Sequence, residues 1–363
     1  MPGRHLDRTW TYKPEIHAPT KYKRACKYRA FVPASLSGLN VSLDLSISGV
    51  VSEAENAIRE LNDVGGHSIG ALARLLLRTE SIASSRVEGM QLGVRELARA
   101  EAKVESGEKT SPTAREVLAN IEAMVLAVDE AAAQPKFDIS HIIAIHRRLL
   151  ERSDNKRIAG VLRTGQNWIG GNDYNPCGAD FVPPPPEDVP TLLTDLCDAI
   201  NDDRLSPLVQ AALVHAQFET IHPFDDGNGR TGRALIHVVL RRRGLAPRYV
   251  PPVSLALAAS KDRYIAGLTD FRGDDVGRWI DYFASASASA SHRAVAYLGA
   301  VTKLCEEWRA KLQQNHPPRK GAAAWALIEV LPAHPILTAA MATAATGRAK
   351  AAIYDAISQL ERA

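Results

Sequence analysis

Apolar positions recur at three- and four-residue steps along most of the chain. Val51, Ala54, Ile58 and Leu61 set the pattern from about Ser48, and such spacing lines one face of an α-helix. Gly65-Gly66 breaks it, and Ile69, Leu72, Leu75, Leu76 and Ile82 resume the stripe. The same spacing predicts helices over 94–106, 112–132, 140–151, 187–201, 207–221, 230–243, 253–270, 275–313 and 322–330. Pro207 suits a first helical turn and Gly244 a stop. No strand run of convincing length is visible, so the expected fold class is all-α.

One region reads as non-helical. Residues 160–186 hold Gly165, Gly170, Gly171, Asn172, Asp173, Asn175, Pro176 and four successive prolines from Pro183. Trp168-Ile169 and Phe181-Val182, on either side of the turn residues, form a candidate short hairpin. An irregular segment of that length inside a helical domain is more often functional than decorative. Residues 314–320 read as a linker. Beyond it, 336–342, 343–347 and 348–361 read as helix, turn, helix, the spacing of a helix-turn-helix with no β-wing evident. The chain thus divides into a basic N-terminal arm (1–47), an N-terminal helical region (48–110), a central helical domain (111–312) and a helix-turn-helix-like C-terminal domain (321–363). No internal repeat is visible.

Composition narrows this picture. The 363 residues are 45% hydrophobic and 23% charged, as expected of a globular chain with a sizeable core. A formal net charge of +3 excludes a strongly basic nucleic-acid coat and an acidic solvating tail. The first thirty residues carry eight Lys/Arg against Asp7 and Glu15, the pattern of a solvated, partly extended arm. The longest stretch without charge, 330–347, contains Pro332, His334 and Pro335 and does not read as a membrane span. No apolar run follows the basic N-terminal residues, so no signal peptide is expected. Cys26, Cys177, Cys197 and Cys305 form no C-x-x-C pair. A disulfide framework and a Cys-based zinc site are not expected, Cys177 reads as incidental, and the usage fits a reducing cytoplasm.

The chemistry concentrates between two helical patterns, in Ile221-His222-Pro223-Phe224-Asp225-Asp226-Gly227-Asn228-Gly229-Arg230-Thr231-Gly232-Arg233. Gly227 and Gly229 permit positive φ and close approach to a ligand. Successive N–H groups leading into a helix start make an anion nest, to which Asn228 adds an amide donor. Arg230 and Arg233, three apart, share one face, where guanidinium forks grip phosphate oxygens. Asp226 at the lip is a lone carboxylate of the sort that holds Mg²⁺ beside phosphates. His222 can take a proton near neutral pH. A phosphate cradle with one cation ligand and one base describes phosphoryl or nucleotidyl transfer.

This stretch resembles the signature of the Fic (filamentation induced by cAMP) family, His-x-Phe-x-[Asp/Glu]-Gly-Asn-Gly-Arg-x-x-Arg, at all eight fixed positions. The resemblance extends over about residues 50–300. Arg157 to Gly171, with Gly160, Arg163 and Ile169-Gly170-Gly171, is similar to the entry to the family's target-binding flap, and Tyr264, Trp279 and Phe283 stand where later core helices carry aromatics. It implies a helical domain with a short β-hairpin flap that moves AMP from ATP to a Ser, Thr or Tyr hydroxyl of a target protein. By the same resemblance His222 is the general base, Asp226 the ligand of Mg²⁺ or Mn²⁺, and Gly227, Asn228 and Gly229 the anion hole. Arg230 contacts phosphates and Arg233 orients the γ-phosphate. Phe224 anchors the loop, and Trp168, Ile169, Gly170 and Gly171 form the flap edge that pairs with the target.

Upstream, Ser84-Ser85-Arg86-Val87-Glu88-Gly89 resembles the family's inhibitory signature, [Ser/Thr]-x-x-x-Glu-[Gly/Asn], placed N-terminally as in class II members. It implies that Glu88 pairs with Arg233 and displaces the γ-phosphate, with Ser84 bracing the inhibitory helix. The resulting expectation is a cytoplasmic, self-inhibited protein adenylyltransferase whose partners are ATP and a hydroxyl-bearing target, the chain itself included. Two alternatives stay open: removal of AMP by the same pocket, and DNA binding through the C-terminal helices with Arg348 and Lys350. His215 and His237 read as core or helix-face residues. His141 and His146 lack metal-pair spacing, so no zinc is assigned. The Ser/Ala tract 284–291 reads as a close helix contact.

Overall fold

Fourteen α-helices, counted among the described residues, realise the apolar spacing. In chain order they are α1 (Leu45–Asp63), α2 (Ile69–Val87), α3 (Val94–Glu105), α4 (Pro112–Val125), α5 (Ile139–Leu150), α6 (Val189–Asn201), α7 (Pro207–Ile221), α8 (Asn228–Arg242), α9 (Val253–Ala259), α10 (Lys261–Arg272), α11 (Val276–Asn315), α12 (Ala323–Val330), α13 (Ala339–Thr346) and α14 (Lys350–Arg362). This computed structural model describes the chain apart from residues 1–2, 13, 38, 40, 66–68, 274, 316 and 335. Of the expected Gly65-Gly66 break, Gly66 lies outside the described residues, as does His316 of the linker. Among the described residues no helix is long and apolar enough to cross a membrane.

The helix α7 is buried on every side, from Leu208 to Ile221, as befits a helix that is apolar all round. It packs on α8, whose residues from Arg230 to Leu240 are also buried. Around this pair the main core gathers Phe137, Phe218, Phe224, Trp279 and Phe283. The Trp279 indole N–H donates to the Ala212 carbonyl at 2.9 Å and ties α11 to α7. The 284–291 tract is the small-residue contact expected, with Ala284, Ser287, Ala288 and Ser291 buried on a helix that α1 packs against. Farther along, α11 enters a second apolar cluster through Cys305 and Leu312, which meet Leu327, Ile328, Ala342 and Ile353 of the C-terminal helices.

Several boundaries differ from the expected ones for local reasons. The helix expected over 253–270 divides at Ser260, which leaves helical geometry at φ −138°, ψ 55°. The end of the 112–132 helix opens into a π turn at Leu126–Ala131. In the C-terminal unit α13, expected from 336, starts at Ala339, where the Thr338 hydroxyl accepts from the Met341 N–H. It ends at Gly347, whose left-handed φ of 66° closes it.

The N-terminal segment corrects the sequence reading. Strands β1 (Gly3–Trp10) and β2 (Cys26–Pro33) pair antiparallel from Gly3 opposite Pro33 to Trp10 opposite Cys26. The segment is therefore not a solvated arm but a hairpin laid on the 165–182 region. The Phe31 N–H donates to the Val182 carbonyl at 2.9 Å, Trp10 meets Trp168 edge-on and Tyr22 stacks on Tyr174. Cys26 and Cys177 are joined as a disulfide, so Cys177 is not incidental. The expectation of unpaired cysteines failed because partners 151 residues apart are invisible to local spacing.

Candidate active site

At the end of α7 the chain turns through His222, a non-glycine residue in the left-handed region (φ 49°, ψ 60°). That conformation costs on the order of 1–3 kcal/mol and needs outside support. Arg163 supplies it. Its buried guanidinium donates to the carbonyls of His222 (2.9 Å), Gly165 (3.1 Å), Pro184 (2.6 Å) and Ile221 (3.3 Å). Asn167 donates to the carbonyls of His222 and Phe224. Burial lowers the Arg163 pKa to about 10, still charged at neutral pH. One side chain thus holds both the loop and the base of the flap.

The loop's next residue in the core is Phe224, fully buried and stacked on the His146 ring with centroids 3.6 Å apart. His146 Nδ1 accepts from the Gly160 N–H, which leaves Nε2–H to donate to the Asp226 carbonyl, both at 2.9 Å. Asn228 closes on Phe224 in both directions, accepting from its N–H (2.9 Å) and donating to its carbonyl (2.7 Å). Asn228 thus braces the loop with its oxygen and one of its two amide N–H donors. The first N–H groups of α8 open onto the same pocket, and a helix start leaves them without intrahelical partners.

Around this loop stand the charged groups. Asp226 accepts from the Gly227 N–H (2.6 Å) with Oδ1 and from Asn155 (2.9 Å) with Oδ2, and 42% of its side chain is exposed. Arg230 is buried, pairs with Glu116 at 3.2 Å and approaches Asp226 at 3.8 Å. Arg233 is buried and aims at the end of α2. Its Nε donates to the Ser84 hydroxyl (2.9 Å), and Nη2 donates to the Ser84 carbonyl and to Glu88 Oε1, each at 2.8 Å. Burial works to raise the Glu88 pKa, but Arg233, with Arg230 and Lys261, overcomes this and holds the carboxyl below its ordinary value. Gly229 is what lets the pair form, since a Cβ there would lie 2.1 Å from Glu88 Oε1. A cavity of about 250 Å³ opens among Glu88, Glu116, His222, Asp226, Gly229 and Arg230.

His222 is set to be neutral. Burial, with the nearby Arg163 charge, lowers its pKa to about 4. Beneath it lies Glu219, whose Oε2 is 4.0 Å from His222 Nδ1 and whose pKa burial raises to about 7. The flap takes the expected form in outline. Ile169 and Phe181 make an antiparallel bridge, with N–H to carbonyl distances of 2.8 and 3.1 Å. Gly170 and Gly171 follow at φ 75° and 77°, and Trp168 donates from its indole to the Asn172 carbonyl.

The structure thus brings together His222, Asp226, the 227–229 turn, Arg230, Arg233, Ser84 and Glu88, while Trp168–Gly171 stand apart on the flap. Glu116, His146, Asn155, Asn167 and Glu219 were missed. Glu116, His146, Asn155 and Asn167 lie on other elements and meet the loop only in three dimensions, whereas Glu219 stands three residues before His222 on α7, within reach of helical spacing. Arg163 was noticed as part of the flap entry, without a role.

Two family models match, Fic/DOC family over residues 136–240 and Fic/DOC family N-terminal over residues 49–129, together about half of the chain. Among curated proteins, the chain is 31% identical over 169 residues to "Protein adenylyltransferase fic-1" of Caenorhabditis briggsae, covering 46% of this chain and 30% of that one. It is 37% identical over 116 residues to "Protein adenylyltransferase Fic" of Drosophila willistoni, covering 31% and 21%. The chain thus spans under a third of the length of these relatives. Among solved structures, a Fic family protein from Desulfovibrio desulfuricans G20 superposes with a TM-score of 0.56 at 20% identity, over 87% of this chain and 88% of that one, a likeness of fold. Signature loop, helical architecture and matched models agree, and the chain belongs to the Fic/DOC family.

Proposed function

We propose that this chain is a protein adenylyltransferase that moves AMP from ATP to a Ser, Thr or Tyr hydroxyl of a target protein and is restrained by its own Glu88. The carrying observation is one pocket in which a neutral His222 faces a helix start, Asp226 and two buried arginines, with Glu88 seated on Arg233. His222 takes the hydroxyl proton as the oxygen attacks the α-phosphorus and the bond to pyrophosphate breaks. The α8 amides and Arg230 hold phosphate oxygens, and Arg233, once free of Glu88, receives the γ-phosphate. Positioning and charge neutralisation supply most of the rate.

The residues present fit a hard divalent cation. Asp226 is a half-exposed carboxylate whose oxygens each keep acceptor capacity beyond one hydrogen bond, and Mg²⁺ needs few protein ligands beside substrate phosphates. Bound there, Mg²⁺ or Mn²⁺ supplies neutralisation of phosphate charge. The target would add its backbone to the flap edge at Trp168–Gly171, and the chain's own hydroxyls are targets of the same kind. A cytoplasmic setting, rich in ATP, belongs to this reading.

A second reading is reversal, removal of AMP from a modified protein, since Glu88 lines the same cavity as His222 and a carboxylate there can orient a water. A separate reading is DNA contact by α13 and α14, whose junction exposes Arg348 and Lys350 in a helix-turn-helix-like arrangement. Labelled ATP incubated with lysate and either the wild-type or the Glu88→Gly chain tests the first reading. Stronger labelling by the variant supports it, and equal absence of labelling in both overturns it. Release of AMP from premodified protein by the wild type alone would favour reversal.

A further inference from the structure

A second cavity, of about 500 Å³, opens between α2, α3, α4, the end of α8 and the turn after α12. It shares none of its described lining residues with the active-site pocket. Four arginines converge on it: Arg74 and Arg78, one turn apart on α2, Arg241 in the last turn of α8, and Arg248 before α9. Two carboxylates answer them. Glu101 pairs with Arg78, and the Asp129 charge acts on Arg241. Among the described residues no carboxylate lies within ion-pair distance of Arg74 or Arg248, and the four arginines exceed the two carboxylates of the lining by two charges.

The buried polar atoms around the cavity tell the same story. Arg78 is only 6% exposed, yet its Nη2 has no hydrogen-bond partner, and neither does Arg241 Nε nor His334 Nδ1. Glu101 Oε2 is an acceptor, and His334 Nδ1 takes either part with its tautomer. Leaving a buried charged donor unsatisfied is costly, so such groups are normally paired. His334 registers the field: burial first, then the charges of Arg74 and Arg78, hold its imidazole below the ordinary value against the opposing charge of Glu105.

We infer that this cavity is a binding site for a small phosphate-bearing dianion, held by Arg74, Arg78, Arg241 and Arg248. Guanidinium forks match phosphate oxygens bidentately, a dianion balances the surplus charge, and the volume lies in the range of small-molecule pockets. The site is distinct from the nucleotide loop and does not depend on the activity proposed above. Two of its arginines stand on the helix that carries Ser84 and leads to Glu88.

Inorganic phosphate is the probe, titrated calorimetrically into the full chain at low ionic strength. All titrations use the Arg233→Ala background, which weakens the loop's own grip on phosphate. Adding Arg74→Ala with Arg248→Ala, both at exposed positions, is expected to weaken phosphate binding at least about tenfold, and lysines at both positions should recover part of it. Binding within twofold of the background overturns the inference, as does a background that takes up no phosphate at all. Should the added pair prevent folding, Arg74→Gln alone carries the comparison.

Discussion

The loop from His222 to Arg233 and the flap from Gly165 to Val182 are both irregular and both contain glycines, yet they are held differently. The loop is rooted in the core. Phe224, Asn228, Arg230 and Arg233 are all buried, and Asn228, His146, Arg163 and Asn167 occupy its backbone groups from three directions. The flap has a single two-residue bridge, and Ile169 is 37% exposed. Its remaining support comes from Arg163 at its base, hydrogen bonds around Asn172, aromatic edges and the N-terminal hairpin. On the proposed function the loop meets one fixed reactant and is over-determined by its surroundings, while the flap meets a protein chain and is left more exposed.

The strongest way to break this contrast is His222→Ala. Removing a general base should cost about 10²–10⁴-fold in AMP transfer by the Glu88→Gly form, while equilibrium ATP binding changes little. Parallel loss of both would mean that the base also holds the nucleotide. Next comes Phe224→Ala, expected to lower stability by about 3–5 kcal/mol in urea unfolding. Ile169→Ala, on the flap, should cost under about 1 kcal/mol. Similar costs at the two positions would erase the distinction.

Acid should find the core around the loop before the flap. Burial lowers His146 and His222 to about 4 and His215 to about 3, against about 6.5 unfolded. Between those values the unfolded chain binds more protons, so stability is lost as pH falls from about 6.5. Glu219, raised to about 7, acts oppositely by one proton between about 4.5 and 7. The net of about two protons gives a slope of up to about 2–3 kcal/mol per pH unit near pH 5.5, measurable by unfolding at pH 6.5, 5.5 and 4.5. A flat profile would contradict neutral burial of the three imidazoles.

Glu88→Gly should raise transfer about tenfold, the gain expected from releasing a partly exposed ion pair discounted for solvent. Adding Arg233→Ala should remove the gain. The smallest effect is expected at the flap. Proline at Ile169 removes the N–H bonded to Phe181, and target labelling should fall several-fold while ATP binding holds.

The helices and the loop were legible because their signals are local. Apolar steps placed α7 to the residue, and twelve contiguous positions carried the chemistry. The hairpin was not legible. In GRHLDRTW only Leu6 and Trp10 are even partly covered, so no alternation marks β1 as a strand. Ser260 interrupts a helical pattern without glycine or proline. Glu116, His146 and Asn155 reach the loop across 71 to 114 residues of sequence, and no spacing rule spans such distances.

One feature of the architecture sets a mechanical condition on the whole chain. At 1.5 Å per residue, the forty residues of α11 make a rod about 60 Å long. One end is pinned in the main core by Trp279 and the other is embedded among the C-terminal helices. A rod clamped at both ends transmits twist and thrust instead of absorbing them. Whatever load the C-terminal helices bear is therefore delivered to α7, one helix length from His222.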